Sequence, residues 1–196
     1  MTASFTRSCR RHSGLVAALA ALLLGLAAAA PARADGIEVQ KAALVAAEDG
    51  YFLEAEFEIA LTHTLEDALN KGVPLYFTLE FELIRPRWYW LNEKIVNKRQ
   101  QYRLGYNAFT RQYRVAIGTL YQNFATLSEA LAFLSRVRLR DIAEPGALAR
   151  GASYTAALRL RLDSSQLPRP FQVSAVGSRE WSVSSDWHRW TVSVSP

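Results

Sequence analysis

Glu54, Glu56 and Glu58 recur at every second residue, so a strand would set all three carboxylates on one face. Such a row could hold a divalent cation or supply an acid and a base. Carboxylates two apart on a strand stand about 7 Å from each other, which is wide for one ion's inner shell. A solvated ladder answered by arginine is the stronger reading, and no metal site is expected. Ser184, Ser185, Asp186 and His188 hold the three group types of a hydrolase triad. Catalytic groups must converge in space, however, and neighbours on one strand point to opposite faces. The chain contains no Gly-x-Ser-x-Gly elbow and no His-Glu-x-x-His pair, the two spacings that would carry such chemistry. His63 stands just before a helix start and is expected in solvent. The chain therefore reads as a non-enzyme, with a hydrolase as the weakest alternative and no cofactor implied.

The aromatic and basic middle offers binding chemistry instead. Arg85-Pro86-Arg87-Trp88-Tyr89-Trp90 follows a strong strand, and Tyr102, Arg103, Tyr106, Arg111, Tyr113 and Arg114 follow on a hairpin. Exposed indoles stack on sugars or grip side chains, and guanidinium forks hold carboxylates or phosphates. The expected contact residues are Arg85, Arg87, Trp88, Trp90, Tyr102, Arg103, Tyr106, Arg111 and Arg114. The competing reading makes the tryptophans core wedges and the arginines partners of the glutamates. Pro86 removes a backbone donor, so its stretch is expected at a sheet edge or bulge. An unpaired edge can itself accept a partner strand. Trp181, Trp187 and Trp190 read as core. Trp187 and Trp190 are three apart, so a strand would place them on opposite faces.

The elements behind these side chains alternate with a period of two. Leu53, Ala55, Phe57, Ile59 and Leu61 interleave with the glutamates. Leu75, Phe77, Leu79, Phe81 and Leu83 interleave with Tyr76, Thr78, Glu80 and Glu82, and Tyr154, Ala156, Leu158, Leu160 and Leu162 with Arg159 and Arg161. These are half-buried antiparallel strands. Weaker strands are expected near 37–47, 99–107, 111–118 and 187–194, with a four-residue hairpin loop at 107–110. Thr64 is expected to cap a helix running to about Lys71, stopped by Gly72 and Pro74. Thr126 and Glu129 form a capping box for a second helix, with Arg136, Arg138 and Arg140 at its negative end. Leu167-Pro168-Arg169-Pro170 reads as a connection, and 143–151 as a mobile loop. The fold class is mainly β: an antiparallel β-sandwich, immunoglobulin-like or an incomplete barrel, of about seven strands with two short helices. Charged outward positions do not fit an outer-membrane barrel.

Residues 1–34 carry an address. Arg7, Arg10 and Arg11 precede an uncharged apolar run over 15–30, and Ala32-Arg33-Ala34 supplies a small-x-small cleavage site. That is the anatomy of a cleaved secretory signal peptide, and the run is shorter than the roughly 20 residues of a membrane span. A single β-rich domain over 35–196 remains, with no transmembrane segment after cleavage, and a periplasmic location follows. The full chain holds 23 basic and 18 acidic residues, a net of +5. Four of those arginines lie in the leader, so the remainder carries 19 basic against 18 acidic. That balance argues against a nucleic-acid partner. Charge is uneven along the chain: 35–84 holds eleven acidic and two basic residues, and 85–196 seven acidic and seventeen basic. The Glu54/Glu56/Glu58 and Glu80/Glu82 rows are therefore expected beside strands bearing Arg99/Arg103, Arg114 or Arg159/Arg161. The one cysteine, Cys9, lies in the leader, so disulfides and a thiol nucleophile are not expected.

The stretch Ala68-Leu69-Asn70-Lys71-Gly72-Val73-Pro74-Leu75 and the stretch from Arg103 to Arg114 resemble an uncharacterised family, a domain of unknown function in exported proteobacterial proteins. Leu127-Ser128-Glu129-Ala130-Leu131, Leu158-Arg159-Leu160-Arg161-Leu162-Asp163 and Trp187-x-x-Trp190 fit it too. The likeness covers nearly all of 35–196. It implies no catalytic residues, and it implies an envelope-signalling partner through neighbourhood with sensor histidine kinases. The expected function is a periplasmic binding module for an envelope protein or an anionic glycan or lipid headgroup. Its contact surface would be 85–90 and 99–114. The alternative is an accessory subunit of an envelope sensor kinase or envelope assembly.

Overall fold

Alternating sequences become strands that bury one row and solvate the other. The computed structural model describes residues 36–86, 93–175 and 177–194. Residues 1–34, and with them the signal-peptide expectation, lie outside the described residues, as do Arg87, Trp88 and Trp90.

Nine strands are described: β1 (Gly36–Ala47), β2 (Gly50–Ala60), β3 (Leu75–Arg85), β4 (Glu93–Asn107), β5 (Gln112–Ile117), β6 (Leu120–Phe124), β7 (Arg136–Ala143), β8 (Ser153–Leu162) and β9 (His188–Ser193). They form two antiparallel sheets. One has the order β1-β2-β7, and the other β6-β5-β4-β3-β8-β9. The architecture is a mainly β, sandwich-like fold without a closed barrel. Leu53, Ala55 and Phe57 of β2, the row Leu75, Phe77, Leu79, Phe81 and Leu83 of β3, and Leu158 and Leu160 of β8 enter one shared core.

The fold departs from the sequence expectation in four local places. The stretch 136–143 is strand β7, not a helix end. Arg136-Val137-Arg138-Leu139-Arg140 itself alternates, and Val137 goes to the core while Arg138 and Arg136 pair with Glu54 and Glu56 of β2. β6 was also unanticipated, since only Leu120 and Phe124 mark it as apolar. Helix α1 (His63–Asn70) is capped by Thr62, not Thr64: the Thr62 hydroxyl accepts from the Leu65 N–H at 3.3 Å. The Thr64 hydroxyl instead donates to Glu180 at 2.9 Å. Helix α2 (Leu127–Leu134) starts at the expected capping box, with Thr126 accepting from the Glu129 N–H and Glu129 from the Ala125 N–H. Helix α3 (Arg169–Ala175) replaces the expected connection, because proline is tolerated in a first turn whose N–H groups have no intrahelical partner.

At the β1–β2 turn, Gly50 is buried at φ +130°. A Cβ there would lie 2.5 Å from the Ala143 carbonyl oxygen of β7. Gly105 of β4 has open space around its Cα. Gly50→Ala should therefore cost about 1–3 kcal/mol, and Gly105→Ala much less, in urea unfolding. Equal midpoints for the two variants would contradict the close approach of β7.

Candidate functional site

The outer faces of the two sheets differ in charge balance. On the three-stranded sheet, Glu54 pairs with Arg138, and Glu56 stands opposite Arg136 and Lys41. Glu58 stands opposite Glu38 of β1 and accepts from the Gln40 side-chain amide at 3.1 Å, so two of the three β2 glutamates face a cation. On the six-stranded sheet, the outward rows hold Glu80 and Glu82 against Lys94, Arg99, Arg103, Arg114, Arg159, Arg161 and Arg189. The result is a net positive sheet face.

Glu80 sits near the centre of that face, flanked by Arg99 on β4 and Arg159 on β8. It is 6% exposed. Its carboxylate accepts from Arg159 Nε at 3.0 Å and also from Arg159 Nη2. Arg161 Nε and Arg99 Nε stand 3.5 and 3.8 Å away. Burial by itself raises the carboxyl's pKa. The Arg159 hydrogen bond and the charges of Arg159, Arg161 and Arg99 outweigh it, and the net direction is down from 4.5. One carboxylate thus fixes the direction of three guanidinium groups without neutralising them. Arg159 also lies 4.6 Å from the Trp187 ring centroid, and Arg189 5.9 Å from the same ring.

Two strands away, Gly72, Pro74, Arg103, Gly105, Tyr106, Asn107 and Arg114 line a cleft of about 260 Å³. The missing side chain of Gly105, directly opposite Arg114, opens it. Arg114 is held there by Asn123 Oδ1 at 2.9 Å and by the Tyr121 ring at 4.4 Å. Among the described residues, no carboxylate lies within ion-pair distance of Arg103 or Arg114. Behind them Tyr106 and Tyr113 pack at 4.9 Å, and the Tyr113 hydroxyl donates to Asn70 at 2.8 Å. That bond ties the hairpin to α1.

Of the nine residues singled out from the sequence, Arg103, Tyr106 and Arg114 come together at this cleft. Arg85 is exposed at the far end of β3, opposite Glu93, roughly 30 Å along the strand from Tyr76, the partner of Arg103. Tyr102 is 6% exposed and faces the core, where burial pushes its hydroxyl up to about 12. It offers no contact surface. Arg111 lies in the hairpin loop at φ 51° beside the fully exposed Phe109, where Asn107 Oδ1 accepts from the Phe109 N–H. Arg99 and Arg159/Arg161 were expected as partners of Glu80, and they are. Their place beside Trp187 in a larger cationic face was not foreseen. The signal was available: Trp187 and Trp190 are three apart, and Trp190 turns inward onto Phe81 at 6.2 Å while Trp187 turns outward.

The hydrolase alternative gains nothing from geometry. The Ser185 hydroxyl is buried and accepts from the Leu160 N–H at 3.1 Å. His188 packs on Trp190 at 5.6 Å. His63 is exposed and stands 3.7 Å from Asp67. Among the described residues no group of three or more histidines and carboxylates could hold a metal ion. No described helix is long and apolar enough to cross a membrane.

One family, described as a domain of unknown function (DUF4390), matches residues 34–191. No curated protein and no solved structure matches the chain.

Glu80→Gln should lower stability at pH 7 by about 1–3 kcal/mol, since it leaves Arg99, Arg159 and Arg161 without the carboxylate that offsets their mutual repulsion. Because the folded pKa lies below the ordinary one, the carboxylate's contribution is complete above 4.5 and fades as pH falls toward the lowered value. Thermal melts from pH 8 to pH 3 should show a constant gap between the two proteins down to about pH 5, closing below about pH 4. A gap independent of pH would remove Glu80 from its assigned role.

Proposed function

We propose, for a chain that belongs to the DUF4390 family, an exported, periplasmic, non-catalytic binding module that takes a phosphate- or carboxylate-bearing glycan or lipid headgroup. The observation that carries this reading is the outer face of the six-stranded sheet, where arginines outnumber carboxylates and Arg103 and Arg114 have no acidic partner among the described residues. Export is supported by the leader sequence. The near balance of charge after residue 34 supports a local rather than a global attraction, so the ligand meets a patch and not a uniformly basic protein.

The chemistry is recognition by charge-assisted hydrogen bonds. Arg103 and Arg114 flank a cleft with a glycine floor, which lets an anionic group approach the backbone of β4. Glu80 holds Arg159 and Arg161 in fixed directions, which lowers the ordering cost when an anion arrives. Trp187, stacked under Arg159, presents an aromatic surface of the kind that sugars use. The expected edge 85–90 enters this reading only through Arg85, which lies far from the cleft.

Binding can be read by cosedimentation with vesicles of phosphatidylglycerol or phosphatidylcholine, and by titration with lipopolysaccharide. The protein should prefer the anionic probes and lose affinity as salt rises. Arg103→Glu with Arg114→Glu should weaken binding at least about tenfold, since each charge-assisted contact is worth about 1 kcal/mol or more. Retention of vesicles but not lipopolysaccharide identifies a lipid headgroup, and the reverse a glycan. Indifference to every anionic probe at low salt, or an unaffected double variant, would overturn the reading. In that case an envelope protein becomes the partner to seek.

A further inference from the structure

We infer that a second copy of this chain pairs with β6, joining the two six-stranded sheets edge to edge across a two-fold axis. β6 and β9 are the edges of the large sheet, and β1 and β7 those of the small one. Natural edges are guarded by charge, proline or brevity. β1 carries Glu38 and Lys41, β7 carries Arg136, Arg138 and Arg140, and β9 carries His188 and Arg189. Self-pairing of β7 would set a row of arginines against its own copy, which is unfavourable. β6 (Leu-Tyr-Gln-Asn-Phe) has neither charge nor proline. Among the described edge strands it is the one with no charged residue at all, so no register of self-pairing meets a like-charge penalty, and brevity is its one guard.

The side chains favour it as well. Leu120 is 76% and Tyr121 63% exposed. An antiparallel pair centred on Gln122 sets Leu120 opposite Phe124 of the copy, Tyr121 opposite Asn123, and Gln122 opposite itself. Leu120 and Phe124 share the core-side face with Phe133 of α2, which stands 5.3 Å from Phe124 and is 36% exposed. Pairing therefore covers Leu120 twice by symmetry, once on each copy. On the other face, Tyr121 and Asn123 already hold Arg114 on the neighbouring strand. The cationic faces of the two copies would then run on as one surface, with uncharged residues at the seam. Five residues per strand bury a small area, so the dimer is weak, with a dissociation constant of about 10–100 µM.

Sedimentation of the purified protein from 1 to 200 µM tests the inference. The expected result is a monomer–dimer equilibrium in that range. Gln122→Lys sets two cations opposite each other at the axis and should leave a monomer with an unchanged circular dichroism spectrum. Gln122→Cys in a Cys9→Ser background should form a disulfide dimer on mild oxidation, because residues directly opposite in an antiparallel pair lie within disulfide reach. Thr191→Cys on β9 should not. A one-chain mass at every concentration, dimers that persist in Gln122→Lys, or crosslinking through β9 instead would each overturn it. An edge that receives a strand from a different protein would leave the purified chain monomeric, which is the first of those outcomes. The inference is separate from anion binding: Arg103→Glu with Arg114→Glu should leave the sedimentation unchanged.

Discussion

Strand β3 is the constraint on which the rest depends. Its inward row from Leu75 to Leu83 is almost wholly buried and forms the central ridge of the shared core. Each such Leu or Phe contributes about 1.5–3 kcal/mol on burial. A one-residue slip of β3 would turn all of them into water and carry Glu80 and Glu82 into the core. The register is thus held by the core on one face and by charge on the other. Glu80 meets Arg99 on β4 and Arg159 on β8 in the same pairings that align the apolar rows. The buried row supplies most of the energy, and the carboxylate adds directional agreement.

That arrangement accounts for the difference between the outer faces. On the small sheet, Glu54 and Glu56 of β2 face arginines of β7 and Lys41 of β1, while Glu58 stands opposite Glu38, and the attraction of those cations is spent within the sheet. On the large sheet, arginines arrive on both sides of β3, and β3 brings only Glu80 and Glu82 to meet them. The surplus remains directed at solvent. A protein close to neutral after residue 34 consequently carries a strongly cationic surface, a property that no net-charge figure expresses.

The helices serve as closures. α1 buries Leu65, Ala68 and Leu69 against the core, and its end is fixed by Asn70, which accepts from the Tyr113 hydroxyl. Thr62 and Thr64 both donate to Glu180 from across the chain. These contacts place Gly72 and Pro74 beside β4 and so help to shape the cleft near Arg103. The segment from Glu180 to Ser185 is bound to β8 through Ser185, whose hydroxyl accepts from the Leu160 N–H and whose own N–H donates to the Leu160 carbonyl. That engagement makes a serine, which by sequence could have been a nucleophile, part of the sheet's wiring.

By itself, the sequence determined most of what rests on local periodicity. The inward rows of β2, β3 and β8, the capping box at Thr126, the hairpin closing at Asn107 and the two-sheet β class were all legible, because each follows from alternation or from a turn chemistry a few residues long. Short or mixed segments were not. β7 was hidden behind the end of a helix, β6 had too few apolar residues to declare itself, and α3 was masked by Pro168 just before it and Pro170 in its first turn. The tertiary structure alone decided which strand stands beside which. Pairings between residues 80 and 159, or 54 and 138, join positions far apart in the chain, and no local pattern encodes them. For that reason the arginines were readable as partners of glutamate, but the surplus they leave on one face was not. Charge balance on a sheet is a property of neighbouring strands, and neighbours are chosen by the packing of the core.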